Sequence, residues 1–176
     1  YNLSEIEKKI DKDKIAVVIK NNAYGHGLLE IAKLAYEYGI KHAVVCTIQE
    51  AKLIYNLFDS VLVLQDLPED KFSDNVIVTI NSLKDINKIP RGTKVEIEVD
   101  TGMHRNGILP QELDTALNLI IESGLILNGL FTHFSNAYIK DESLYIQKKI
   151  FDDLRSLLKK DNRFLNEIRF HCCASS

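Results

Sequence analysis

Cysteine, proline and glycine are all scarce in this 176-residue sequence, at 3, 3 and 8 residues. The cysteines, Cys46, Cys172 and Cys173, are odd in number and two are adjacent, which excludes a disulfide framework. No CxxC spacing points to zinc either, so no metal site is expected and all three are expected to fill core. A reducing cytoplasm is the compartment this cysteine usage predicts. The net charge is -3 with no basic block, which argues against nucleic acid as the main partner. No apolar run approaches membrane-spanning length, and Tyr1–Glu5 carry no signal-peptide pattern. Internal repeats, low-complexity tracts and linker-like segments are also missing, so residues 1–176 are expected to form one domain.

What remains is an ordinary globular composition, 45% hydrophobic and 27% charged. Strand and helix signals alternate along it. Apolar spacing predicts helices over 3–12, 28–38, 47–58, 82–90, 110–124 and 142–160. Gly39 and Gly124 serve as stops, Thr47 with Glu50 as a capping box, and Pro110 as a first-turn residue. Strands are expected at 15–20, 42–47, 61–65, 76–80, 94–100, 126–132 and 168–173. The first, with Ala16-Val17-Val18-Ile19 in a row, reads as buried on both faces. This alternation indicates parallel βαβ units. Two α/β architectures fit: an open doubly wound sheet, or a (β/α)8 TIM-type barrel truncated after strand seven, since a full barrel takes about 250 residues.

Chemistry-bearing side chains gather where these strands end. Lys20 closes strand one, and a lysine desolvated at such a position presents a neutral amine suited to Schiff-base chemistry. Its bland alternative, an amphiphile snorkelling out of the strand end, is the commoner fate. Asp100 closes strand five ahead of Thr101-Gly102-Met103-His104-Arg105. Thr132-His133 closes strand six, and strand seven carries His171 and leads to Ser175-Ser176. Several strands supplying one mouth is the arrangement of a barrel, which therefore leads. His26 reads as a turn residue and Asp100 as a loop-ordering one. Arg105 could be a surface cation, and His133 and His171 satisfied core histidines.

The stretch Ala16–Gly27 resembles the pyridoxal-phosphate lysine motif of alanine racemases. Val99-Asp100-Thr101-Gly102-Met103-His104-Arg105-Asn106-Gly107 is similar to that family's second signature, and Thr132-His133-Phe134 and His171-Cys172 follow in order. The resemblance covers nearly the whole chain. It implies a fold-type III barrel binding pyridoxal 5'-phosphate and interconverting L- and D-alanine, a supply of D-alanine for peptidoglycan. In that family a β-domain follows the barrel, and the active site forms in a homodimer.

Residue by residue, the resemblance makes Lys20 the Schiff-base lysine and one of two bases, acting on the D-alanine face. Tyr24 and Ser175 would bind the cofactor phosphate. Arg105 would sit by the cofactor's phenolic oxygen and the substrate carboxylate, His133 beside the pyridine ring, and His171 would brace an arginine beyond strand seven. Two positions depart from the pattern. Glu98 stands where many members carry a carbamylated lysine that pairs with the arginine, and a native carboxylate there could pair with Arg105. Ala174 replaces an asparagine that precedes the phosphate-binding serine.

The resemblance also implies that strand eight, the β-domain and the second base, a tyrosine from the partner, lie outside these residues. The chain alone is accordingly expected to racemise alanine negligibly. Three other readings stand beside this one: a single-domain pyridoxal-phosphate-binding homeostasis barrel without racemase activity, a fold-type III decarboxylase, and a metal-dependent barrel hydrolase using His133 and His171. The Asp100–Gly107 signature counts against the first, the lysine motif fits the second less well, and no His-x-His pair supports the third.

Overall fold

A computed structural model describes residues 2–135, 142–164 and 167–173. Seven strands, β1 (Ala16–Val18), β2 (His42–Val45), β3 (Ser60–Val63), β4 (Val76–Ile80), β5 (Lys94–Glu98), β6 (Ile126–His133) and β7 (Arg169–Cys173), follow one another in the sheet in chain order. A strand order that follows chain order is that of a (β/α) barrel, and it excludes the doubly wound alternative, whose order reverses at a switch point. Among the described residues no helix is long and apolar enough to cross a membrane.

The chain divides into two compact units. One comprises residues 1–68 and 72–78, the other 69–71 and 79–176.

In the first unit, β1 pairs with β2, β2 with β3 and β3 with β4, all parallel. Helix α1 (Asn2–Glu7) is shorter than the 3–12 span expected, and a 3-10 turn at Lys12–Lys14 leads into β1. Helix α3 (Leu28–Tyr38) matches its expected bounds and stops at Gly39, whose φ of 92° is the left-handed C-terminal cap. Helix α4 (Ile48–Ile54) starts at Thr47 with the capping box formed on both sides. Ala32, Ala35 and Ala51 are buried with Ile15, Ile40 and Ile54 in one apolar cluster. Small side chains at those helix positions let the helices seat closely on the strands.

One expectation fails here. Strand β1 is not buried on both faces: Ala16 is exposed and Val18 is 45% exposed. Among the described residues β1 pairs with β2 alone, so it is an edge, and its four apolar residues in a row report composition rather than two covered faces. The strand is also shorter than predicted, and Lys20 lies beyond its end.

In the second unit, β5 pairs with β6 and β6 with β7. A register shift sets Val95 opposite Leu127 but Glu96 opposite Gly129, so Asn128 is an extra residue bulged out of β6. Helix α5 (Leu83–Ile86) precedes β5, and helices α6 (Leu113–Glu122) and α7 (Glu142–Lys159) connect β5 to β6 and β6 to β7. The buried stripe of α7 is Gln147, Phe151, Leu154 and Leu158, at helical spacing. Cysteine usage differs from expectation as well: Cys46 and Cys172 are half-buried rather than in the core. Cys46 Sγ lies 3.1 Å from Gln65 Oε1, which a buried apolar filler would not need.

Candidate functional site

The lysine site is built on an uncommon backbone. After β1 the chain continues as α2 (Lys20–Tyr24), but Asn21, Asn22, Ala23 and Tyr24 have φ between 52° and 55°. They form a left-handed turn, a conformation that costs an L-residue about 1–2 kcal/mol each and that only asparagine and aspartate tolerate among non-glycines. Asn21 and Asn22 fit that preference, Ala23 and Tyr24 do not.

Hydrogen bonds over-determine the turn. The Ile19 N–H donates to Val44 O at 2.9 Å, continuing the β1–β2 pairing one step past the strand. Asn22 N donates to Glu50 Oε1 at 2.9 Å, and Asn22 Oδ1 accepts from Leu28 N at 2.8 Å, capping α3 from the loop. The Gly27 N–H reaches Asn22 O at 3.1 Å. The Lys20 side chain is half-buried and makes no hydrogen bond or ion pair with any described residue. Tyr24, at the other end of the turn, is 61% exposed. His26 is exposed between Gly25 and Gly27, as a turn residue should be.

The second unit presents a different half. Alternation along Lys94-Val95-Glu96-Ile97-Glu98 puts Glu96 and Glu98 on one face and Val95 and Ile97 on the other. Register with β6 and β7 sets Gly129, Phe131 and His133, then Arg169 and His171, on the same face as the glutamates. Glu96 is fully buried there. Its carboxylate accepts from Arg169 Nε at 2.9 Å, from Asn128 Nδ2 at 2.8 Å, and meets His171 Nε2 at 2.7 Å. Burial pushes the Glu96 carboxyl up, but His171 and Arg169 outweigh it and hold the group below the ordinary carboxylate range. Gly129 makes the room: a Cβ there would come within 2.8 Å of Glu96 Cδ and 2.9 Å of Arg169 O. His171 also stacks on Phe131, with centroids 4.6 Å apart and planes 8° from parallel.

Loop 100–107 is tied at its ends and in its middle. Asp100 N donates to Ile108 O and Ile108 N to Glu98 O, closing the loop beside the isolated bridge of Val99 with Ile108. Asp100 Oδ1 accepts from Gly102 N at 2.9 Å and His104 N at 3.0 Å. Burial raises the Asp100 carboxyl, yet those backbone donors and the His104 ring hold it lower than usual. This is the loop-ordering role the sequence suggested. Gly107, at φ 105°, is obligatory: a Cβ would meet Asp100 N at 2.7 Å. Thr101 Oγ1 bonds Thr132 Oγ1 at 2.8 Å, which in turn donates to Val99 O, fastening the loop to β6. Arg105 projects from the loop exposed, without a hydrogen bond or ion pair among the described residues. The Glu98–Arg105 pairing anticipated from the sequence is therefore not made; Glu98 is buried and has its polar interaction elsewhere.

Of the expected site residues, Lys20 and Tyr24 flank one turn in the first unit. Arg105, His133 and His171 follow or occupy β5, β6 and β7 in the second. Ser175 and Ala174 lie outside the described residues. Two residues were missed. Glu96 is visible in the alternation of strand five, had Arg169-x-His171 been read as same-face partners. Glu50 was read as a helix cap only. Among the described residues no three His, Cys, Asp or Glu side chains gather as a metal site.

With this geometry, the chain matches the family described as "Alanine racemase, N-terminal domain" over residues 1–176. It is 36% identical over 172 residues to the alanine racemase of Campylobacter jejuni subsp. jejuni serotype O:23/36, covering 97% of this chain and 52% of that protein. To the alanine racemase of Nitratiruptor sp. it is 39% identical over 181 residues, covering all of this chain and 53% of that one. The solved alanine racemase of Clostridium difficile 630 superposes with a TM-score of 0.83 at 27% identity, over 97% of this chain and 51% of that chain. A histidine racemase from Leuconostoc mesenteroides subsp. sake shares the fold, with a TM-score of 0.78. The chain spans about half the length of the curated relatives it matches. By the family match over its whole length and these identities, the chain belongs to the alanine racemase N-terminal domain family.

Proposed function

We propose that this chain carries the lysine-bearing barrel of a pyridoxal-phosphate-dependent enzyme that interconverts L- and D-alanine. The observation that carries the reading is Lys20: a half-buried amine with no partner among the described residues, on a turn whose backbone is fixed on both sides. A half-buried amine without a side-chain partner, on the same turn as an exposed Tyr24 hydroxyl, suits an aldehyde bearing a phosphate. Pyridoxal phosphate, when bound, supplies the electron sink that makes an unactivated α-proton removable.

The chain's own residues then have separate tasks. Lys20 Nζ would hold the cofactor covalently and would be the residue to serve as base on the D-alanine face. Tyr24 and Ser175 would hold the cofactor phosphate. Arg105 offers a guanidinium fork to the phenolic oxygen and the alanine carboxylate, a planar acceptor that it recognises better than a lysine does. His133 would hold the cofactor's pyridine ring. His171, itself steadied by Glu96 and Phe131, braces an arginine. A homodimer, a cytoplasmic location and a role in supplying D-alanine for peptidoglycan belong to the same reading.

The test is to add pyridoxal phosphate, reduce with borohydride and map the adduct by mass spectrometry. A single adduct on Lys20 is expected. Labelling scattered over surface lysines, with Lys20 unmodified, would overturn the assignment of Lys20.

A further inference from the structure

Glu50 does more than cap a helix. In a capping box the N3 side chain bonds only the N-cap backbone N–H, and glutamine serves as well as glutamate. Here Oε2 takes that bond, from Thr47 N at 3.2 Å, and a second from Cys46 N at 2.9 Å at the exit of β2. The other oxygen, Oε1, accepts from Asn22 N at 2.9 Å, across 28 residues, inside the left-handed turn. Three backbone donors from two segments thus converge on one carboxylate. Only a group with acceptors on both sides satisfies them; a glutamine amide would aim an NH2 at one.

The consequence falls on Lys20. Its backbone is held on the N-terminal side by the Ile19–Val44 hydrogen bond and on the C-terminal side by Asn22 on Glu50. Loss of the second tie leaves the bonds within the turn and to Leu28 but removes its anchor to the end of β2, so a turn whose Ala23 and Tyr24 are conformationally unfavourable would loosen there and shift the lysine with it. We infer that Glu50 is a positioning residue for Lys20: its carboxylate locks the left-handed turn onto the end of β2 and so fixes where the lysine amine is presented. This rests on the reading of Lys20 as the cofactor lysine.

The experiment compares wild type, Glu50→Gln and Thr47→Ala by amide hydrogen exchange and by pyridoxal-phosphate labelling with borohydride. Thr47→Ala removes the other half of the same cap, the Thr47 Oγ1 acceptor for Glu50 N, and leaves the carboxylate. In Glu50→Gln the Asn22 and Cys46 amides are expected to exchange at least about tenfold faster, the factor for one lost charge-assisted hydrogen bond. Labelling at Lys20 should fall by a similar factor, while Thr47→Ala keeps both near wild type. Unchanged exchange in Glu50→Gln, an equal effect of both substitutions, or faster exchange with Lys20 labelling intact would each overturn the proposal. Should Glu50→Gln not fold, Glu50→Asp, a carboxylate one methylene too short to reach both segments, is read by the same criteria. If wild type itself gives no Lys20 adduct, the cofactor-lysine reading falls and the positioning role with it. If Lys20 labels in wild type and Glu50→Gln changes nothing, only the positioning role falls.

Discussion

Glu96 Oε2 and His171 Nε2 lie 2.7 Å apart across 75 residues of sequence, with Glu96 fully buried and the His171 side chain 40% exposed. Arg169 and Asn128 complete the carboxylate's contacts. The four groups hold β5, the bulge of β6 and β7 together, and His171 is steadied as part of that knot.

Glu96→Gln should therefore destabilise the protein by about 2–3 kcal/mol, below the full cost of breaking a wholly buried pair because Arg169 and His171 reach water. The cost should depend on pH. The carboxyl titrates below its ordinary value of 4.5 in the folded protein, so the unfolded chain binds the proton first as pH falls. The stabilisation is present above that ordinary value and is lost as pH drops through the folded one. Urea unfolding across pH checks both points: wild type and Glu96→Gln should differ at pH 7, and the difference should narrow as pH falls below 4.5.

Ala23→Gly should be nearly neutral, within about 0.5 kcal/mol. The left-handed backbone at φ 52° gains about 1 kcal/mol from glycine, and loss of the buried methyl removes a similar amount. Ala32→Gly, equally buried but in the right-handed helix α3, should cost about 2 kcal/mol for helix propensity and lost burial. Paired urea midpoints test the contrast. Equal costs would mean the turn is not left-handed in solution.

Arg105→Ala should leave the unfolding midpoint within about 0.5 kcal/mol of wild type, since the side chain is exposed and unpaired among the described residues. Alanine turnover by the full-length enzyme should fall at least about tenfold, with Arg105→Lys recovering only part. A large loss of stability would instead assign Arg105 a structural task.

The strands and helices were legible because periodicity and caps agree locally: α3, β4 and the Thr47–Glu50 box stand where apolar spacing and turn chemistry put them. What could not be read was whatever depends on a neighbour far along the chain. The exposure of Val18 depends on which strands flank β1. The left-handed path of Asn21–Tyr24 depends on an acceptor at Glu50, and the burial of Glu96 depends on the space left by Gly129. The lysine, arginine and histidines of the candidate site are proposed from motif. The carboxylates that hold Lys20 and His171 were not, because a buried glutamate in a strand or a helix cap looks ordinary until its distant partners are known.

In each unit every strand pairs with the one made just before it: β1 through β4 in the first, β5 through β7 in the second. A chain leaving the ribosome in this order always finds the docking edge for its newest strand already synthesised. Folding can thus keep pace with translation, each βα unit closing a short loop before the next emerges. The exception is the Glu96 knot, which must wait for Arg169 and His171 some 73 and 75 residues later. Until then Asn128 of β6 is the one partner in the knot already made, and the Glu96 carboxylate meets Arg169 and His171 only when the last described strand arrives.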